Sequence, residues 1–366
     1  MTSNSCIFSG LLTVILTAAV TTAGLMPFGE GGSEPHWQEV QLKPVAKLGK
    51  DLLMDPQQLV LGSRGEILVY DAGAEAPVLH LAANGTLINR IGGWGKGPGE
   101  ISPRFVGVIA GYRDGHVDLF SLSQLKVLRF QEDGKWIADI SLAGTQMAGA
   151  VVCGKQVFLR LLSPEQFMRI DRLSGTHQTE VVKAVSIQQL AEAAPELARV
   201  AKNPLLNQGP TICDSSGNVY CSFIYSSLLL GFRPDGKLFF INNLPEAIEL
   251  PEFKRYSEKY DFTSPPINQF PVVSVALAVD DRYLYRLYVG FRTDQAKMNG
   301  RKLSELSNEG TVLDVYDRAN GTYMFSAHLP RAAKSIAIGD GKLYLLSTDP
   351  DIGIFVYQIP RHWGSS

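Results

Sequence analysis

Charge and cysteine are both sparse in this chain. Asp, Glu, Lys and Arg make up 19% of its 366 residues, the formal net charge is −2, and no stripe of Lys or Arg stands out. Neutralising nucleic-acid phosphates takes such a stripe, so nucleic acid is excluded as a principal partner. The four cysteines and six histidines (His36, His80, His116, His177, His328, His362) contain no second Cys or His pair at zinc spacing. No metal site and no cofactor are therefore expected. A Gly-x-Ser-x-Gly elbow is absent too, and with it the usual mount for a hydrolase nucleophile, although a Ser-His-Asp triad assembled in space stays open.

Glycine and turn chemistry, by contrast, are abundant. A polar residue followed by Gly precedes a strand-like run at Arg64-Gly65, Asp114-Gly115, Cys153-Gly154, Ser216-Gly217 and Asp340-Gly341, with Asp280-Asp281 in the same role. A second mark follows at Asn84-Gly85, Asp133-Gly134, Ser174-Gly175, Asp235-Gly236 and Asn320-Gly321. Asn-Gly and Asp-Gly tolerate the positive φ that tight hairpins demand. In the first four units the two marks stand 19 to 21 residues apart; in the fifth, the polar stretch Gln295–Gly310 delays the second mark and reads as an insertion between strands. The spacing predicts an all-β, six-bladed β-propeller over residues 38–360, with blades near 52–92, 104–143, 147–183, 209–244, 271–330 and 331–360.

The sixth unit ends soon after Ile354–Pro360 and lacks an outer strand. Residues 38–48 are expected to supply it, because Val40, Leu42, Ala46 and Leu48 alternate with polar positions. Such closure ties the chain's two ends into one blade. Ahead of it, the apolar run Ile7–Val20 reads as an export leader within residues 1–28; read on through Phe28 it is long enough for an uncleaved anchor, and a misplaced start is the third reading. No Lys or Arg precedes the run, and Cys6 lies on the wrong side of it for a lipoprotein cysteine.

Two insertions interrupt the ring. Ser186–Leu206 has helical spacing, with Ser186 as N-cap and Pro195 splitting it in two. Leu244–Pro271, punctuated by proline and rich in aromatics, reads as a loop over one face, either a lid or a cover for blade edges. Cys213 and Cys221 flank a hairpin; they read either as small buried strand residues or as a disulfide across it.

Between the first two blades lies Gly95-Lys96-Gly97-Pro98-Gly99-Glu100. With these residues at that junction, the chain resembles a bacterial six-bladed β-propeller family related to NHL-repeat proteins, matched at Gly95, Gly97, Pro98, Gly99 and Glu100. The resemblance implies an exported protein of that fold. By its own chemistry the segment is a sharp turn tied together by Glu100 above a packed Trp94, or else a nest of amides for an anion.

The innermost strands of a propeller line its channel. They are placed to begin near Gln57-Gln58, Arg104, Gln146, Gln208, Ser274 and Lys334, which gives a mouth of amides and two cations. Gln58, Arg104, Gln208 and Lys334 are the candidate binding residues. Two functions follow as expectations: a monomeric, non-catalytic scaffold for a protein, peptide or glycan, or a metal-dependent, lactonase-like hydrolase or lyase whose carboxylates, for example Asp55, Asp214 and Asp280, converge on the channel.

Overall fold

A computed structural model describes residues 36–360, apart from 103–106, 114, 143–146, 164, 175–177, 194–206, 225, 243–253, 258–259, 265–273 and 290–308. The leader, Arg104, Gln146, Pro195 and most of the 295–310 insertion lie outside the described residues. After β1 (Lys43–Leu48), blade one is formed by β2 (Pro56–Leu61), β3 (Ile67–Asp71), β4 (Val78–Leu81) and β5 (Leu87–Ile91). Two short strands, β6 (Gly93–Trp94) and β7 (Glu100–Ile101), then pair in parallel. Blade two is β8 (Gly107–Arg113), β9 (His116–Ser121), β10 (Lys126–Gln131) and β11 (Trp136–Ser141); blade three is β12 (Met147–Cys153), β13 (Gln156–Leu161), β14 (Gln166–Ser174) and β15 (Gln178–Ser186), followed by α1 (Ile187–Ala193). Blade four is β16 (Thr211–Cys213), β17 (Val219–Phe223), β18 (Ser226–Phe232) and β19 (Leu238–Asn242). The hairpin β20 (Lys254–Ser257) and β21 (Tyr260–Ser264) leads to blade five, β22 (Ser274–Val279), β23 (Tyr283–Tyr288), β24 (Gly310–Asp317) and β25 (Tyr323–Ala333). Blade six is β26 (Ser335–Gly339), β27 (Lys342–Ser347) and β28 (Gly353–Gln358), with β1 as its outer strand.

Every blade is an antiparallel sheet of four strands, and the first strands of neighbouring blades lie side by side, from β2 and β8 round to β26 and back to β2. The ring closes at six. Residue alternation explains why the second strands read as unbroken apolar runs. In β3, Ile67 and Val69 pack toward blade six while Leu68 and Tyr70 pack toward blade two, so both faces are buried. The same division gives an apolar cluster at each of the six seams between blades. At the hairpins the turn glycines take positive φ, for example 81° at Gly65 and 66° at Gly341, which a side chain would oppose.

Closure differs from the expectation in one respect. β1 pairs with β28 from Lys43↔Gln358 to Leu48↔Ile354, but residues 36–38 dock instead on the outer edge of blade five. There, Gln38 N donates to Ser326 O and Ser326 N to His36 O, both at 2.9 Å, while the Trp37 ring stacks on His328 at 4.2 Å. The strap thus spans two blades. Ala46 is exposed and Leu48 half-buried, so β1 joins mainly through its backbone, as an outer strand with one apolar neighbour can.

Ser186 caps α1 as expected. Its hydroxyl accepts from Gln189 N while Gln189 Oε1 accepts from Ser186 N, a reciprocal capping box. The second insertion carries the β20–β21 hairpin, which its prolines concealed in the sequence. The pairing of Cys213 with Cys221 is a correction: Cys213 is bonded to Cys153, and Cys221 is a buried free thiol. Register explains it, since Cys213 stands opposite Val219 and Cys221 opposite Thr211. The two are diagonal neighbours, farther apart than a directly opposed pair.

Candidate functional site

Strand direction assigns every connection to one of two faces. The hairpins after the first and third strands of each blade open on one face, where no connection exceeds five residues. The connections 92–106, 187–210, 243–273 and 289–309 all leave from the opposite face, where the innermost strands begin.

Of the predicted channel residues on the long-loop face, Gln58 is a clasp. Its amide accepts from Ile109 N at 2.8 Å and donates to Ile109 O at 3.3 Å, joining β2 to β8. Lys334 Nζ sits 3.7 Å from Asp55 Oδ1, across the seam between blades six and one. The carbonyl of Gln208 accepts from Ile224 N at 2.9 Å, and the Gln208 side chain is half-buried. Ser274 is buried against Ser222, with their hydroxyls 2.6 Å apart. Arg104 lies outside the described residues. Among the described residues, the connections on this face expose carboxylates (Asp51, Asp55, Glu75, Glu165, Asp349 and Asp351) and three large apolar side chains from consecutive blades, Ile352, Met54 and Leu122.

The carboxylates that a channel metal would need are not brought together. Asp214 and Asp280 lie on the short-turn face, at the opposite end of the ring from Asp55. Each is saturated locally: Asp214 by Ser216 N, Asn218 N and the Tyr220 hydroxyl, Asp280 by Arg282 N, Tyr283 N and the Tyr285 hydroxyl. Among the described residues no group of three or more His, Cys, Asp or Glu could hold a metal ion.

The glycine-rich junction is closed on itself. Glu100 accepts from Gly97 N at 2.8 Å, and a Cβ on Gly95 would fall 2.1 Å from its Oε2, so the carboxylate fills the space that a bound anion would occupy. Asp139 of blade two holds the loop through Gly99 N at 3.1 Å, and also takes Lys126 Nζ at 2.7 Å and Trp136 Nε1 at 2.9 Å. Burial acts to raise the Asp139 carboxyl, but these donors outweigh it and hold its pKa below the ordinary value. Trp94 donates to Ala74 O at 2.8 Å and packs at the seam of blades one and two.

Sequence reasoning missed a second constellation, on the short-turn face between blades one and two. Arg64 bridges Glu66 and both oxygens of Glu132, and Tyr112 donates to Glu132 Oε2 at 3.4 Å. Beside it lies His80, 3% exposed; its Nδ1 faces two acceptors, Asn89 Oδ1 and Glu132 O, and therefore carries the proton. Nothing in the spacing of these residues marks them, because four hairpins of two blades bring them together. Their carboxylates are already occupied by Arg64, so the group is a clasp between hairpins.

These clasps have a consequence at high pH. Burial, followed by the charges of Glu66 and Glu132, pushes Tyr112 up to about 12, and burial also raises Tyr220, Tyr285, Tyr316 and Tyr344. The folded protein then keeps protons that the unfolded chain releases near the ordinary value, so stability falls as pH rises through about 10 toward 12. Melting temperatures should hold from pH 8 to about 9 and then drop as pH rises through about 10 toward 12. In an absorbance titration of the native protein these five phenols should ionise last; ionisation of all thirteen tyrosines near pH 10 contradicts the assignment.

No family model and no curated protein matches the sequence. Solved structures do. A protein of Bacteroides fragilis named as exported aligns over 88% of this chain and 95% of its own, at TM-score 0.51 and 11% identity. A member of the DUF4221 family from Bacteroides vulgatus aligns over 87% and 98%, at TM-score 0.51 and 12% identity. At such identities the likeness is one of fold. The chain is a six-bladed β-propeller, nearly all β in the described residues. No helix among them is long and apolar enough to cross a membrane.

Proposed function

We propose that the protein is an exported, non-catalytic, NHL-like propeller that acts as a monomeric binding scaffold, engaging a protein, peptide or glycan through its long-loop face. One observation carries this reading: the four longest connections all leave from one face, while the other bears only hairpins of five residues or fewer. A rigid ring that extends loops on one side presents variable contact surface without disturbing its core. The described residues on that side supply Lys334, exposed carboxylates such as Asp55 and exposed apolar side chains, a mixture suited to recognition. Export rests on the apolar run Ile7–Val20 and agrees with the name of the Bacteroides fragilis neighbour.

Charge substitution on each face tests the reading. Met54→Glu, Leu122→Glu and Ile352→Glu together should weaken retention of the partner at least tenfold, since apolar anchors lost from an interface centre cost roughly 1–2 kcal/mol each. Asp133→Lys and Asp235→Lys, on short-turn hairpins, should leave it unchanged. Equal losses on both faces, or none on the loop face, would sink the proposal.

A further inference from the structure

The three cysteines outside the leader belong to one layer. Cys153, Cys221 and the partly buried Cys213 share the apolar cluster between blades three and four. Cys213 is in the middle of it, bonded to Cys153 of β12 on one side and diagonal to Cys221 of β17 on the other. Thr211, Cys213, Val219 and Cys221 alternate onto one side of the β16–β17 pair, so the free thiol and the disulfide face the same layer. Diagonal neighbours lie ~7–8 Å apart at Cα, a little beyond the reach of a disulfide, and a small shift of one strand closes the gap. That shift falls on β16, which is only three residues long, and it works against the bonds that hold Asn207–Pro210 to Arg160, Leu161, Ser222 and Ile224, so the exchange is a slow step.

We propose that Cys153, Cys213 and Cys221 form an intramolecular thiol–disulfide exchange site that moves the covalent staple between blades three and four into blade four. In the forward step the Cys221 thiolate attacks Sγ of Cys213. The Cys213–Cys221 bond forms, the Cys153–Cys213 bond breaks, and Cys153 leaves as a thiolate that takes the proton Cys221 gave up. No oxidant or reductant is consumed. Burial pushes the Cys221 thiol up, with the Arg160 guanidinium opposing it, so exchange is slow at neutral pH and accelerates with alkalinity. The outcome is mechanical: the seam between blades three and four loses its covalent tie while the hairpin β16–β17 gains one.

The proposal stands apart from partner binding and is tested on purified protein carrying Cys6→Ser, so that the leader cysteine does not compete. Non-reducing proteolysis with mass spectrometry, after incubation with glutathione disulfide, should find Cys213 linked to Cys221 in more than half of a Cys153→Ser variant. If that variant fails to fold, the Cys6→Ser protein alone decides. Alkylation during native incubation should label Cys153 in a small fraction of molecules, together with a Cys213–Cys221 peptide, at a rate that rises about tenfold per pH unit. Two free thiols in the variant, or Cys221 as the sole labelled thiol at every pH and time, would overturn it.

Discussion

Deleting residues 36–48 should destabilise the propeller by on the order of 5 kcal/mol and lower its melting temperature by about 10 °C or more. The segment contributes little burial, since most of β1 is exposed; it contributes pairing. Its removal strips the outer edge of β28 from Ile354 to Gln358, and with it the two strap bonds to Ser326 and the stack of Trp37 on His328. At about 1 kcal/mol net for each backbone bond, the five paired positions of β1 account for most of the loss. The larger consequence is topological. Blade six is left with three strands, held to blade one by the apolar cluster at their seam, the bond from Leu59 N to the Ser335 hydroxyl at 3.2 Å and the Lys334–Asp55 pair. Trp37→Ala alone removes only the stack and should cost about 1 kcal/mol. Adding the 36–48 peptide in trans should recover part of the stability; a truncated protein that melts like the intact one would contradict the strap's role.

Arg160→Ala should cost about 3–5 kcal/mol, because three buried acceptors lose their donor at about 1–3 kcal/mol each. The residue is 1% exposed, and its partners are carbonyls and an amide: Ser222 O at 2.7 Å, Gly209 O at 3.1 Å and Asn207 Oδ1 at 3.2 Å. Its guanidinium also lies over the rings of Phe223 and Phe167, 4.7 and 5.5 Å from their centroids. Burial lowers its pKa, which reports how dry the position is. One cation thus fixes the path of Asn207–Pro210 into the short strand β16, and Asn207 Nδ2 returns a bond to Leu161 O at 2.6 Å. Truncation leaves those acceptors in the dry interior without donors. Hydrogen exchange should therefore quicken at residues 207–213 before it does anywhere in blades one or two. Lysine restores the charge but not the fork that reaches three acceptors, so Arg160→Lys should recover less than half the loss. Arg172→Ala, on an exposed position of the adjacent strand β14, serves as the control and should fall within about 0.5 kcal/mol of the parent.

The strap 36–48 and Arg160 mark the boundary between what a sequence of this kind discloses and what it conceals. Gly65, Gly85, Gly217 and Gly236 could be placed in turns because a tight hairpin needs positive φ and little else supplies it; their dihedrals agree. Blade number and closure followed from that local chemistry. Ser186 was legible as a cap for the same reason, since its partners lie within one turn of helix. Arg160 was not legible. In the run Gln156–Leu161 an arginine reads as a solvent-facing residue, and only Asn207, Gly209 and Ser222, contributed from the next blade, make it an interior one. Cys213 failed likewise, because its partner is 60 residues away across a seam while the tempting thiol is eight residues off on its own hairpin. Gln58 was correctly placed at an innermost strand, yet its amide is spent on Ile109, a contact fixed by the ring's register.

The central claim, that one face of a closed ring does the binding, is tested most directly by site-specific photocrosslinking in the protein's native cells. A benzophenone side chain placed at Met54, Leu122 or Ile352 should give a discrete adduct, and the same group at Asp133 or Asp235 should give none. Adducts formed only from the short-turn positions would contradict the account.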